Sequence, residues 1–216
     1  MFGDDVPAPR LARASWQEPF RWWGPPWQTP EPRSLTQLVG LEMLSGWQAA
    51  WLVDHMATGG SMVVAASPQG AGKSTLAAAL IAELPNDRFK VYLRGMYEPF
   101  DWVNDSTPQS TTLLVNEISP HLPIYAWGET LRRLLALGEA GYQIVATMHA
   151  DSVEEAVIQL ANYPIEGTVA QFTALSVIVF ITVTVANDKV DRRVGSIFSL
   201  ERDGSTGGLI AQAVAE

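Results

Sequence analysis

The sequence contains no cysteine among its 216 residues, which excludes disulfide bridges and thiolate-ligated metal sites. Positive charge is also scarce, since 14 Lys and Arg stand against 23 Asp and Glu, for a net charge of −9. No run of basic residues occurs. Proteins that hold DNA or RNA usually carry a basic stripe that neutralises phosphates. We therefore expect no nucleic-acid partner.

A long apolar segment is missing as well. The longest one, residues 174–185, is shorter than the roughly 20 residues that a membrane-spanning helix needs. Its β-branched residues indicate a buried strand instead. Asp4 and Asp5 stand where a signal peptide requires positive charge. We expect a soluble, cytoplasmic protein without direct membrane insertion, which reaches the inner face of the membrane only through partners.

Residues 1–33 differ from the rest of the chain. They hold seven of the 14 prolines and four of the eight tryptophans. Because proline at this density prevents a regular helix or a central strand, we predict an extended N-terminal arm. Its tryptophans require burial, either against the arm's own domain or on a neighbouring subunit. The predicted domains are this arm and a globular domain over residues 34–216.

From residue 34 onward, helical and strand patterns alternate. Ser34 and Ser45 are suited to cap two short helices. Further helices are predicted at residues 74–84, 130–140 and 153–160, and strands at 62–66, 89–93, 112–115, 143–148, 177–185, 194–200 and 209–214. This order predicts an α/β fold, with a mostly parallel sheet sandwiched by helices and a C-terminal β-hairpin region. Ligands of such sheets bind at the carboxyl ends of the strands.

Residues 67–74 carry the strongest signal, a near match to the phosphate-loop pattern G-x-x-x-x-G-K-[ST] with Ser67 in place of the first glycine. Gly70 and Gly72 allow the backbone to turn its N–H groups inward. We predict that Lys73 neutralises the β- and γ-phosphates and that the Ser74 hydroxyl binds Mg²⁺. The predicted nucleotide-binding residues are Ser67, Pro68, Gln69, Gly70, Ala71, Gly72, Lys73, Ser74 and Thr75.

Two further strands end in residues that suit phosphate chemistry. Glu117 follows the strand at residues 112–115, with Asn116 where generic P-loop enzymes place Asp. We predict that Glu117 aligns the attacking water and touches the magnesium water shell; the alternative is a solvent-exposed glutamate. His149 ends the strand at residues 143–148, where it is either a γ-phosphate sensor or a structural histidine.

Taken together, these segments resemble the type II and type IV secretion and type IV pilus ATPases. Residues 70–76 resemble their Walker A box, residues 113–117 their Walker B box, and residues 138–149 their His box. Residues 192–194 with the strand after them are similar to their C-terminal hairpin. The resemblance implies a RecA-like P-loop NTPase domain over roughly residues 35–215.

The resemblance also implies an acidic pair between the first two boxes. Glu98 and Asp101 flank Pro99 at about the family's distance from Lys73. On this basis Glu98 is predicted to be catalytic and to join Ser74 in holding the metal. The alternative is a solvated pair of loop carboxylates.

Departures from the family pattern are also present. The family's separate N-terminal domain has no counterpart in this sequence, so we expect a reduced, single-domain member. Residues 119–128 stand where the family continues directly from Walker B, often with an arginine that is absent here. Arg94, Arg132 and Arg133 are the candidate cationic groups.

The resemblance implies an ATP-hydrolysing motor that uses ATP and Mg²⁺. It further implies a hexameric ring that works on a membrane platform protein of a pilus or secretion machine. The alternative is an ATP-binding scaffold or regulatory module with weak or no hydrolysis. A small-molecule kinase is disfavoured, because the sequence shows no arginine-rich lid stretch.

Overall fold

A computed structural model describes residues 32–187 and 189–215. The predicted arm lies outside these residues except for positions 32 and 33, so both alternatives for its tryptophans stay predictions. Within the described residues, helices and strands alternate along most of the chain. The helices are α1 (Leu35–Gly40), α2 (Gly46–Ala57), α3 (Lys73–Ala82), α4 (Glu129–Glu139), α5 (Val153–Ala161) and α6 (Val169–Ala174). The strands are β1 (Met62–Ala65), β2 (Phe89–Tyr92), β3 (Thr111–Ile118), β4 (Gln143–Met148), β5 (Val177–Ala186), β6 (Lys189–Arg202) and β7 (Leu209–Ala213).

The seven strands form one sheet in the order β2-β3-β4-β1-β5-β6-β7. The first five strands of this order pair in parallel, and β6 and β7 are added antiparallel through hairpins. This is the predicted mostly parallel sheet with a hairpin region at its C-terminal end. Because β1, β3 and β4 are parallel neighbours, the residues that follow them emerge at the same edge of the sheet.

Helices cover both faces of the sheet, and the alternation along β1 shows how. Val63 and Ala65 pack into a core beneath α4, α5 and α6, whereas Met62 and Val64 pack into a second core beneath α1, α2 and α3. All four side chains are fully buried. A strand that is apolar on both faces reads as a continuous hydrophobic run, which is why its position was clear in the sequence.

Local capping chemistry fixes the first two helices. The hydroxyl of Ser34 accepts a hydrogen bond from the Gln37 amide, and that of Ser45 accepts one from the Gln48 amide. In both helices the glutamine side chain returns a bond to the cap, which completes a capping box. The predicted caps are therefore confirmed. Among the described residues, no helix is both long and apolar enough to cross a bilayer.

The structure differs from the predicted elements most clearly in three places. β6 begins at Lys189, five residues before the predicted start at residue 194. β3 continues to Ile118, so Glu117 lies inside the strand rather than after it. α6 was not predicted; its six residues precede the apolar stretch at residues 174–185 and share only Ala174 with it. A capping box at Thr168, with Gln171 three residues later, marks its start.

Gln143, at the start of β4, joins the sheet to the end of α2. Its side chain is fully buried. Its Nε2 donates to the carbonyl oxygens of Met56 at 2.9 Å and Gly60 at 2.7 Å, and its Oε1 accepts from the Thr112 hydroxyl at 2.6 Å. This one buried side chain therefore makes hydrogen bonds to three polar groups from three different parts of the chain.

We expect Gln143→Leu to lower the free energy of unfolding by roughly 2 kcal/mol or more, because it removes all three hydrogen bonds of a fully buried side chain. Urea denaturation followed by circular dichroism measures the change. Gln109→Leu is the matched control at an exposed position, and its effect should stay within about 0.5 kcal/mol. Equal stability of the two variants would contradict the structural role of Gln143.

Candidate functional site

The loop between β1 and α3 has the backbone that its glycines predict. Gly70 and Gly72 adopt φ values of +71° and +96°, in the left-handed region that favours glycine. A Cβ at Gly72 would lie 2.9 Å from the Met43 Cε. Gly72 is also the N-cap of α3, with no side-chain cap on the free N–H groups of the first turn. The loop therefore places the N-terminus of α3, the positive end of the helix dipole, at this edge of the sheet.

Lys73 is buried, with 7% of its surface exposed. Its Nζ donates to the carbonyl oxygen of Ala66 at 3.0 Å. Burial lowers the pKa of Lys73 from its ordinary value, while the carboxylates of Glu117 and Asp151 act in the opposite direction. An anion bound beside Nζ would favour the charged form further, so this ammonium is suited to phosphate.

His149 lies between Lys73 and Glu117, because β4 lies between β1 and β3 in the sheet. Its Nδ1 is 2.8 Å from the Ser67 carbonyl oxygen and 3.4 Å from the Lys73 Nζ. Since a carbonyl oxygen can only accept, Nδ1 donates to Ser67. On the other side of the ring, Nε2 is 3.4 Å from the Glu117 Oε2. The three predicted residues thus form a continuous row.

An irregularity in β3 positions Glu117. The register between β3 and β4 shifts between Val115 and Ile118, and the Thr147 hydroxyl donates to the backbone carbonyl of Asn116 inside this stretch. Bulges of this kind re-aim side chains. The Asn116 side chain is buried at 6% exposure, whereas Glu117 lines the cleft beside the phosphate loop.

The cleft above this row has a volume of about 590 Å³. It is lined by Gln69, Gly70, Ala71, Gly72, Lys73, Ser74, Thr75, Glu117, His121, Leu122, Tyr125 and His149. Seven of the nine predicted nucleotide-binding residues are in this set. Ser67 and Pro68 are not; the Ser67 amide donates to the Asp151 Oδ1 at 2.9 Å and holds the start of the loop.

The sequence did not identify His121, Leu122, Tyr125 or Asp151 as site residues. The first three belong to the segment 119–128, which was noted only as a departure from the family pattern. Asp151 had a weak signal, since it stands two residues after His149 at a strand end. Burial and the neighbouring Glu117 raise the pKa of Tyr125, so its hydroxyl keeps its proton and can donate.

A second cavity of about 340 Å³ adjoins the phosphate loop and shares Gly70, Gly72 and Thr75 with the cleft. Its remaining lining is Arg33, Leu38, Leu41, Met43, Val190, Asp191 and Arg192. The Arg192 Nε donates to the Gly70 carbonyl oxygen at 2.7 Å, so the β5–β6 hairpin region is attached to the phosphate loop. Sequence reasoning did not identify this contact.

The structure does not bring Glu98 to the cleft. Its buried carboxylate accepts from the Arg94 and Phe100 amides and from the Trp102 Nε1, each at 3.0 Å. These bonds fold the loop after β2 around the carboxylate. The catalytic and metal-binding roles of Glu98 stay predictions, and these three hydrogen bonds give its carboxylate a structural role in its own loop.

The candidate arginines also lie away from the cleft. Arg132 forms ion pairs with Glu129 at 2.7 Å and Glu166 at 3.8 Å. The Arg133 guanidinium lies 4.4 Å from the centroid of the Phe100 ring. Arg94 is not among the described residues that line the cleft either.

We expect Glu98→Ala to lower the free energy of unfolding by roughly 1–3 kcal/mol, because it leaves buried donors unpaired. Nucleotide affinity of the folded protein should stay within about twofold of the parent. Denaturant titration and calorimetric binding measure the two quantities, with the exposed Glu139→Ala as control. If the free energy of unfolding is unchanged and magnesium-dependent nucleotide binding is lost, the result would instead support a metal-binding role for Glu98.

Comparison with known proteins gives a structural likeness only. No protein-family model matches the sequence, and no curated protein matches it either. The structure is similar to the VirB11 ATPase of the Brucella suis type IV secretion system, solved with sulphate, with a TM-score of 0.51 and 19% identity over 76% of this chain and 56% of that one. The Legionella pneumophila ATPase DotB has a TM-score of 0.48 and 15% identity over 78% of this chain and 51% of DotB.

This chain thus spans little more than half the length of either protein. At 19% identity, the likeness to VirB11 establishes a common fold, and the predicted α/β architecture, with its mostly parallel sheet between helices, is confirmed. The chain shares the fold of this ATPase over the part that the two have in common.

Proposed function

We propose that the protein binds ATP in the cleft above the phosphate loop and hydrolyses its terminal phosphoanhydride bond. The observation that carries this proposal is the row Lys73–His149–Glu117, with both inter-residue contacts at 3.4 Å. It combines a buried cation, an imidazole and a carboxylate within one cleft. These are the parts that phosphoryl transfer to water requires.

In this reaction, a water oxygen bonds to the terminal phosphorus while the bond to the bridging oxygen breaks. Glu117 aligns the water and takes its proton, and Lys73 balances charge on the phosphate oxygens. His149, held by the Ser67 carbonyl oxygen at 2.8 Å, is suited to sense the terminal phosphate. Positioning and electrostatic stabilisation supply most of the catalysis in such reactions.

The residues present also suit magnesium. The described residues contain no cluster of three or more His, Asp or Glu that could hold a metal alone. Magnesium bound with a nucleotide does not need one, since it takes one or two protein oxygens, phosphate oxygens and waters. The Ser74 hydroxyl and Glu117 line the same cleft and would hold the ion. When bound, it supplies charge neutralisation on the phosphates.

The nucleoside occupies the adjoining cavity in this proposal. That cavity shares three phosphate-loop residues with the cleft and has apolar walls from Leu38, Met43 and Val190. Arg33, Asp191 and Arg192 add hydrogen-bonding groups, and a lining of both kinds suits a base and ribose. The choice of ATP over GTP follows from the resemblance to the secretion ATPases.

The wider role we propose is that of a motor of a type IV pilus or type II/IV secretion-like system. In this role the protein forms a hexameric ring at the cytoplasmic face of the membrane and acts on a membrane platform protein. The fold that it shares with VirB11 and the order of its sequence boxes support this role. The alternative is a nucleotide-dependent scaffold with weak or no hydrolysis, motivated by Ser67 in the loop and the missing Walker B aspartate.

We expect Lys73→Ala to abolish nucleotide binding, since it removes the buried cation of the cleft. Glu117→Gln should keep nucleotide affinity within a few-fold but reduce turnover by roughly a hundredfold or more. Calorimetric binding and phosphate release with Mg·ATP separate the two effects. Lys189→Ala, at an exposed hairpin position, is the control and should match the parent. Equal phosphate release from Glu117→Gln and the parent would remove Glu117 from its role.

For the motor, we expect Mg²⁺ with a non-hydrolysable ATP analogue to raise the mass measured by light scattering to six subunits. The same preparation should release phosphate from ATP. A hexamer with tight binding but no phosphate release would favour the scaffold. A chain that stays monomeric under all nucleotide conditions would contradict the ring.

A further inference from the structure

Residues 119–128, here called the cleft loop, follow the end of β3 at Ile118 and return to the same strand. The Ser119 amide donates to the Ala126 carbonyl oxygen at 3.2 Å, and the Ala126 amide donates to the Glu117 carbonyl oxygen at 2.9 Å. These bonds form an isolated parallel bridge between Ile118 and Ala126. The returning end of the loop is therefore bonded to the backbone of the proposed water-aligning residue.

A second attachment fixes the middle of the cleft loop. The Met96 amide donates to the Pro123 carbonyl oxygen at 2.8 Å. Gly95, at φ +56°, allows this approach, since a Cβ there would lie 2.3 Å from the Ile124 carbonyl carbon. The loop is thus held at both ends and in its centre by backbone contacts, without any ligand.

Two polar side chains of the cleft loop, those of His121 and Tyr125, line the cleft together with Lys73 and Glu117. The His121 ring lies edge-on to the His149 ring, with 6.2 Å between centroids. The His121 amide donates to the Ser119 Oγ at 3.1 Å, which orients the start of the loop. The cleft loop therefore adds polar side chains to the lining of the cleft, beyond those of the phosphate loop.

The charge of a nucleotide's terminal phosphate is spread over three equatorial oxygens in the transition state. The phosphate loop and Lys73 belong to one wall, and Glu117 is engaged with the attacking water. The oxygens of the terminal phosphate that neither Lys73 nor the phosphate loop contacts need a further donor. A nucleoside diphosphate lacks this phosphate and would not use that donor. An imidazole on a fixed loop meets this need with little ordering cost, because the loop is already in place.

Resting on the proposed function, we propose that His121 contacts the terminal phosphate of the bound nucleoside triphosphate and that Tyr125 is a positioning residue for Glu117. Tyr125 and Glu117 line the same cleft, and in this proposal the Tyr125 hydroxyl donates to the carboxylate once the nucleotide is bound, which restricts its orientation toward the water. The cleft loop is then the wall that distinguishes a triphosphate from a diphosphate. This assignment uses only side chains of the same chain.

The test compares affinities for a non-hydrolysable ATP analogue and for ADP, both with Mg²⁺, by calorimetry. His121→Ala should weaken binding of the triphosphate analogue roughly tenfold or more, because a bond to a charged group is lost, and should leave ADP within about twofold. His121→Gln, which keeps a donor, should recover part of the loss. Pro120→Ala, an exposed neighbour in the same loop, should change neither affinity.

For Tyr125→Phe, the expected result is a lower kcat, by roughly tenfold, with unchanged KM and unchanged midpoint of urea unfolding. A merely structural role of the ring would leave kcat unaltered, since Phe keeps the ring. Unchanged kcat would therefore overturn the positioning role.

The two proposals fail in distinguishable ways. If His121→Ala weakens the affinity for both ligands equally, or weakens neither, the proposed contact with the terminal phosphate is overturned. If the parent still releases phosphate in that case, the proposed hydrolysis stands without His121. A parent that binds neither nucleotide overturns the proposed function and the inference together.

Discussion

The burial of one ammonium group is the constraint on which the site depends. The Lys73 Nζ is bonded to the Ala66 carbonyl oxygen at 3.0 Å and lies 3.4 Å from the His149 ring nitrogen, in a residue that is only 7% exposed. A buried charge of this kind is costly unless partners compensate it. The nearby carboxylates supply part of that compensation, and a polyphosphate would supply the rest. Because a bound anion would offset the unfavourable burial of this ammonium group, the burial favours anion binding.

Strand order, rather than any single motif, brings the compensating groups together. β4 lies between β1 and β3, so the residue that ends β4 must meet both the phosphate loop and the end of β3. His149 occupies that place and contacts both neighbours. The shift of register near Glu117 then turns its carboxylate toward the histidine. The same geometry would be impossible if β3 and β4 exchanged places.

The sequence predicted most of the fold because its strands are buried on both faces and its helix caps are local signals. It predicted Gly70, Gly72 and Lys73 because a phosphate loop is contiguous in sequence. It could not predict His121 or Arg192, whose positions depend on contacts with distant elements at Met96 and Gly70. Glu98 shows the opposite case: its spacing fitted a family pattern, but its carboxylate accepts a hydrogen bond from Trp102 and does not line the cleft.

The cleft loop joins two walls of the cleft through the backbone. Its amide at Ala126 donates to the carbonyl oxygen of Glu117, so the loop that carries His121 and the strand that carries Glu117 share one attachment. The Met96 amide holds the same loop through the Pro123 carbonyl oxygen. Because both attachments are backbone hydrogen bonds within the chain, they order this wall without a ligand. If His121 contacts the terminal phosphate as proposed, its loop is therefore ordered before the nucleotide binds.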